Sequence, residues 1–534
     1  MPSTGPACTA VAQPNVHAPS SNAPMRGRPV LYAKRGDSYR QCESSPALPF
    51  TLTMPSLAKK SSPAAPVSEL CFLDAVALAT AIRKRQLSVH EVISAHIAQC
   101  ERTNPRVNAI VTPTYEAALQ DAEACDVLLA HGHEPGPLFG LPVAHKDSFL
   151  TQGVRTTFGS AAYADNVPAR DSAVVARQKH AGAIGLGKTN MPEFGAGSHT
   201  FNAVFGATRN PYRSDVTAGG SSGGAAAALA CGMVALADGS DMGGSLRNPA
   251  SFCNVVGLRP SIGRVPMAPS AYPFNTLTVG GPMGRSVADV ALLLDAIAGH
   301  DPEDPLSVAR PDHGFGLPAL QETRGLRIAL SPTLGGLPFE APVRQALREG
   351  VAHLEAMGCH VEEDEPDFSD ADFAFETLRA LAFATNYGPV RELKGDLLKA
   401  SVRWNIDLGL ALDGKAIAEA ERARARMFTR MQALLTRHDF LVAPVSQVVP
   451  FDLMQEYPQA IDGEPMPHYI GWMRSCCRLT VTGHPAISLP CSFTPDGLPI
   501  GIQIVGRFRQ ERALLAFARQ FEAANPAGRR RPRP

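Results

Sequence analysis

The chain has 534 residues, 45% apolar and 19% charged, the balance of a globular protein long enough to bury a large core. Fifty Lys plus Arg offset fifty Asp plus Glu, which leaves no electrostatic footprint for nucleic acid. No apolar run reaches the ~18 residues of a membrane-spanning helix. Eleven scattered cysteines without a CxxC pair form neither a disulfide framework nor a zinc ribbon, so reduced thiols in a cytoplasmic protein are expected.

Residues 1–66 are rich in Pro, Ser and Ala, with Arg26, Arg28, Lys34, Arg35 and Arg40 against Asp37 and Glu43. Without an apolar h-region they are not a secretory signal. They read as a disordered extension, with Met54 as an alternative start and with a transit peptide, which an acid-poor, Ser-rich start suggests, as the lesser alternative. Order is expected from near Glu69. Leu73 to Lys84 has helical periodicity, and Ser88-Val89-His90-Glu91 is a capping box opening a second helix through Cys100. Tyr115–Leu129 and Asp171–Ala181 are further helices, the latter followed by an apolar strand at Ala183–Leu186. Gly325–Leu330 and Cys359–Glu362 read as strands on either side of a helix at Pro342–Met357. Phe368–Arg437 is mostly helical by pattern. Phe440–Pro444, Ala486–Phe493 and Ile500–Val505 are strands, the last two joined by an Asp496-Gly497 turn, and Glu511–Ala523 is a closing helix.

Helices alternating with short apolar strands predict an α/β fold: a single large domain, a mixed sheet surrounded by helices, spanning 67–525. Within it, 368–475 forms a mostly helical insertion with substrate-side loops. Residues 526–534 are a basic tail.

Two loops carry chemistry. Gly219-Gly220-Ser221-Ser222-Gly223-Gly224 has a bare backbone and leads into an Ala-rich helix former, so it sits at a helix N-terminus that favours negative charge. Gly239-Ser240-Asp241-Met242-Gly243-Gly244-Ser245 follows the apolar strand Met233–Ala237. Together they could bring two serines into one site. A serine hydroxyl needs a base to become a nucleophile, and neither loop holds a His. A neutral lysine can serve, and Lys146 ends the apolar run Gly140-Leu141-Pro142-Val143-Ala144-His145. Spacing alone favours an ordinary surface lysine there; the apolar strand is what argues for burial.

The runs GLPVAHKD, TAGGSSGG and GSDMGGSLRNPASFCNVVGLRP resemble, in order, the three motif blocks of the amidase-signature family. Lys146 and Ser221 lie 75 residues apart, and Ser221 and Ser245 lie 24 apart, as that family's Ser-Ser-Lys triad leads one to expect. The resemblance spans about Glu69 to Ala523 and includes GKTNMPEF and GHPAISLP. It implies that Ser245 is the nucleophile, that Ser221 is held by a cis peptide bond and relays a proton, and that Lys146 is the base. It further implies an oxyanion hole from the backbone N–H groups of Met242, Gly243, Gly244 and Ser245, a hydrogen bond from Ser222 within the relay, loop support from Asp241 and Arg247, and a substrate contact at Gly195. Met242 stands where many relatives have Thr or another residue. Asn248 stands where the glutaminyl-tRNA amidotransferase A subunit usually has Gln.

Three other signals are set aside. Gly182–Thr189 fits GxxxxGK[ST], but a helix precedes it and the apolar strand falls inside it, the wrong context for a P-loop. Gly219–Gly223 fits GxSxG, but the polar run Arg209–Asp215 before it is no strand, so an esterase elbow using Ser221 is an alternative only. His131 and His133 lie in a Gly/Pro loop without metal-binding partners. The expected protein is therefore an amidase acting on a small-molecule amide, with no metal and no cofactor, no nucleic-acid partner and no membrane span. A homodimer stays open. The alternative is an amidotransferase A subunit working inside a tRNA-modifying assembly.

Overall fold

The computed structural model describes residues 67–316 and 322–533. The expectation of a disordered extension at 1–66 lies outside them. An eleven-stranded mixed sheet organises the chain, and helices wrap it, as the α/β reading anticipates. From edge to edge the strands run Ile110–Pro113, Ile184–Thr189, Pro142–Lys146, Leu236–Asp241, Val279–Gly284, Val256–Arg259, Ala486–Phe493, Pro499–Val505, Phe440–Pro444, Arg327–Leu330 and His360–Glu363.

Two parallel stretches are embedded in the sheet. Pro142–Lys146 runs parallel to both Ile184–Thr189 and Leu236–Asp241. Arg327–Leu330 runs parallel to both His360–Glu363 and Phe440–Pro444. The remaining strand pairs are antiparallel. The sheet thus changes sense around Leu236–Asp241. Open α/β sheets place ligands outside the carboxyl ends of parallel strands. At that end Lys146 finishes one strand while Ser240 and Asp241 finish its neighbour.

Helix Gly223–Ala230 is buried along its whole length. Its small residues let the backbone come very close: a side chain at Gly224 would lie 2.3 Å from the Asn190 backbone nitrogen. Helices Ala371–Lys394, Ala400–Leu410 and Gly414–Arg437 fill the interval between strands His360–Glu363 and Phe440–Pro444. Phe375, Leu378, Met427 and Met431 from the first and last of them pack into a second core.

Several expectations shift. The helix opened by Ser88 does not stop at Cys100 but runs Val89–Val107, with Pro105 inside it. It ends at Asn108, in the left-handed region at φ 54, and Asn104 Oδ1 accepts from the amides of Ala109 and Ile110. The strand expected at Met233–Ala237 is Leu236–Asp241 instead. Met233 belongs to the preceding helix end: Gly232 turns at φ 68 and the Met233 amide reaches back to Ala228 O at 2.9 Å. The strand in turn runs on into Gly239-Ser240-Asp241, which the sequence presents as loop.

Candidate active site

Lys146 is fully buried, although spacing alone favoured the surface. Its Nζ donates to Ser221 Oγ at 2.7 Å, Ser222 Oγ at 3.0 Å and Ser240 Oγ at 3.0 Å. Its own strand is anchored by Asp238, which accepts from the Lys146 amide at 2.8 Å and pairs with His145 Nδ1 at 2.6 Å. Burial pushes the Lys146 ammonium down to about 7, against Asp241 and Asp238, which favour the charge. A lysine so placed is available as an unprotonated base near neutral pH.

Ser221 follows a cis peptide bond after Gly220. The Gly220 carbonyl accepts from Ser198 Oγ at 2.9 Å, and Ser198 Oγ accepts from Asn248 Nδ2 at 3.0 Å. The Ser222 amide donates to the Ser245 carbonyl at 3.2 Å, which ties the two Gly/Ser loops together. Ser221 and Ser245 are 2% and 5% exposed, and both open onto one cavity of about 360 Å³. Gly195 borders it at φ 70, and a Cβ there would stand 3.3 Å from Ser221 Oγ. Phe149, Phe158, Phe194, Phe383 and Tyr387 supply much of the apolar wall.

Asp241 is the hub of the second loop. Its carboxylate accepts from the amides of Gly244 at 3.0 Å and Leu246 at 3.1 Å, and from Arg247 Nε at 3.1 Å. Burial alone would favour the neutral acid, but Arg247 and Arg259 hold the carboxyl far below its usual range. The loop from Met242 to Ser245 is thereby fixed from one side. Cys476 and Asn248 crowd the other: a Cβ on Gly244, at φ 103, would lie 2.6 Å from Cys476 Cβ and 2.7 Å from Asn248 Nδ2.

The Gly244 amide, expected in an oxyanion hole, donates to Asp241 Oδ1 at 3.0 Å. Among the described residues, the amides of Met242, Gly243 and Ser245 make no hydrogen bond. These three are the free donors beside Ser245.

Lys188, the lysine of the P-loop-like run, lies inside strand Ile184–Thr189. Its Nζ donates to the Phe149 carbonyl and to Thr151 Oγ1 at 2.7 Å. No regular strand directly precedes Gly219, so the elbow geometry is not formed. His131 and His133 are exposed, and among the described residues no group of three or more His, Cys, Asp or Glu side chains converges as metal ligands would. No helix among the described residues is long and apolar enough to cross a membrane. Two site features escaped the sequence. Ser240 sits in the same Gly/Ser run and was available as a signal. Arg379, on helix Ala371–Lys394, lines the cavity beside Met242 with no motif to announce it.

Residues 91–515 match the family described as Amidase. The chain is 37% identical over 491 residues to the A subunit of a glutamyl-tRNA(Gln) amidotransferase from Moorella thermoacetica, covering 87% of this chain and 99% of that one. It is 33% identical over 474 residues to an acylamidase of Rhodococcus erythropolis, covering 87% and 98%. Among solved structures, a bacterial aryl acylamidase of the amidase signature family superposes with a TM-score of 0.81 at 29% identity, covering 86% of this chain and 97% of that chain. The chain belongs to the amidase signature family and is an enzyme of the amide-hydrolysing class.

Proposed function

We propose that the protein hydrolyses the C–N bond of a small carboxylic amide through Ser245, Ser221 and Lys146. The observation that carries this reading is the fully buried Lys146, 2.7 Å from Ser221 Oγ and depressed to about 7. Ser245 Oγ attacks the amide carbonyl carbon while its proton passes through Ser221 to Lys146 Nζ. The carbonyl oxygen becomes an oxyanion and is held by the amides of Met242, Gly243 and Ser245. One such donor is typically worth ~3 kcal/mol to a transition state. The tetrahedral adduct collapses, the C–N bond breaks, and Lys146 returns the proton through Ser221 to the departing nitrogen. Water then attacks the acyl ester by the reverse route and frees the acid and Ser245. Ser222 and Ser240 hold Nζ in place by accepting from it, and Asp241 with Arg247 fixes the loop. No step calls for a metal or a nucleotide.

The experiment is a panel of aliphatic and aryl amides given to the isolated chain, reading ammonia or amine release with and without EDTA. Release that survives EDTA is expected. Activity abolished by EDTA and restored by zinc would overturn the reading.

A second reading, an amidotransferase A subunit, is favoured by the 37% identity to a protein of that name. Asn248 stands where such proteins usually have Gln, and an acylamidase is matched over a comparable span. Co-purification with partner chains, and amide hydrolysis only in their presence, would support the second reading over the first.

A further inference from the structure

Four arginines among the described residues are buried: Arg247, Arg259, Arg264 and Arg379. Three of them face carboxylates. Arg247 and Arg259 share Asp241, and Arg264 pairs with Glu511 at 3.0 Å. Arg379 is 2% exposed, yet among the described residues no carboxylate pairs with it. Its hydrogen-bond partners are neutral: Tyr469 OH at 2.7 Å, Asn405 Oδ1 at 3.3 Å and Met242 Sδ at 3.2 Å. The guanidinium lies over the Phe383 ring, 4.5 Å from its centroid. A desolvated cation with only neutral partners is costly unless an anion reaches it.

Arg379 also lines the cavity that Ser221 and Ser245 open onto. A guanidinium has five N–H donors, and thioether sulfur is a weak acceptor. The three bonds leave one further N–H on each terminal nitrogen, with only sulfur on one of them to compete. That is the donor set a planar carboxylate takes. Through Met242 the guanidinium is held beside the loop whose amides face the reacting carbonyl in the proposed mechanism.

We propose that Arg379 recognises a carboxylate on the acyl part of the substrate, so that the preferred amide is the monoamide of a short dicarboxylic acid. The inference rests on the amidase reading and names the substrate class of that same cavity. Arg379 is a specificity-determining residue in it. Its bonds to Asn405 and Tyr469 join three segments of the helical insertion, and its contact with Met242 joins that insertion to the cavity.

The test is binding to full-length Ser245→Ala protein, which needs no turnover. Malonamate, succinamate and glutaramate are compared by calorimetry with their neutral diamides. At least one carboxylate is expected to bind about tenfold or more tighter than its diamide, the effect of a charge-assisted pair. In Ser245→Ala carrying Arg379→Gln that ratio should fall to near one, and with Arg379→Lys it should be partly kept. Equal binding of acid and diamide throughout the series, or a ratio that survives Arg379→Gln, overturns the proposal. Should Arg379→Gln fail to fold, the unsubstituted protein still decides. At least one of malonate, succinate and glutarate must slow fluorophosphonate labelling at concentrations about tenfold below those of its diamide, and equal protection by diacid and diamide throughout the series overturns the proposal. A hydrolysis assay that fails on every amide counts against the amidase reading, whereas the binding ratio speaks to Arg379.

Discussion

The pH at which the serine becomes reactive follows from where Lys146 sits. An exposed lysine would be protonated up to 10.5, but burial brings this one to about 7, even with Asp238 and Asp241 near enough to favour its charge. In the proposed mechanism only the neutral amine can accept the proton relayed from Ser245. Its neutral fraction climbs from roughly one-tenth at pH 6 to roughly nine-tenths at pH 8, so reactivity should rise about tenfold over that interval and then level off. An ordinary lysine would give about a hundredfold rise over the same interval and no plateau below pH 10. The substrate need not be known for the assay. The second-order rate of inactivation by a fluorophosphonate reports the same activated serine and can be followed from pH 5 to 10. Lys146→Ala should lower that rate by at least ~100-fold at pH 8 while leaving the circular dichroism unchanged. A rate still climbing tenfold per pH unit between 8 and 10 would mean that the base is not depressed by burial. A Lys146→Ala protein that labels at near the original rate would mean that the base lies elsewhere.

The same lysine should shape stability. Its folded pKa is lowered, so the fold disfavours the proton that the unfolded chain keeps up to 10.5; the penalty is full below about pH 7 and is lifted as pH rises towards 10.5. Between pH 7 and 9 the original protein should gain about 2 kcal/mol relative to Lys146→Met in urea unfolding; parallel curves for the two proteins would contradict this. Asp241→Asn leaves Arg247 and Arg259 buried without their shared carboxylate and should cost roughly 3–5 kcal/mol, read by the same unfolding assay. Gly244→Ala places a Cβ within 2.7 Å of Cys476 and Asn248 at a φ of 103, so turnover should be lost, and a fully active variant would count against the loop geometry. A chain started at Met54 should keep its melting temperature and its activity, because so Pro/Ser-rich a composition offers too little apolar surface to be expected to order itself; a large fall in either would refute that reading.

What was legible in the sequence divides along physical lines. Phe440–Pro444, an unbroken apolar run, and Ala486–Phe493, apolar but for Ser488 and Ser492, were found at their full extent, because runs this short are too brief for a helix and suit a buried strand. Val256–Arg259 and Val279–Gly284 left no comparable trace. The second reads Val-Gly-Gly-Pro-Met-Gly, a turn by composition. Its glycines are there for close approach: a Cβ on Gly281 would lie 2.4 Å from Leu258 O, and one on Gly257 in the neighbouring strand would lie 2.2 Å from Leu246 O. In the candidate site, the meeting of Lys146 with Ser221, and of Ser221 with Ser245 on one cavity, was legible because their motifs are contiguous. The commitment of the Gly244 amide to the Asp241 side chain was not: Asp241 stands three residues before Gly244, but the sequence does not say which nearby amides its carboxylate takes. Nor was Arg379, which enters from a helix more than a hundred residues downstream of Ser245 and depends on packing alone.

The most direct test of the central claim is the position of the covalent adduct. The protein is treated with a fluorophosphonate, digested, and mapped by mass spectrometry. Ser245 lies beside the free amides of Met242, Gly243 and its own nitrogen, whereas Ser221 Oγ is engaged by Lys146 at 2.7 Å. The adduct should therefore sit on the peptide carrying Ser245 and vanish in Ser245→Ala. An adduct on Ser221 that survives Ser245→Ala would contradict the assignment of nucleophile and relay.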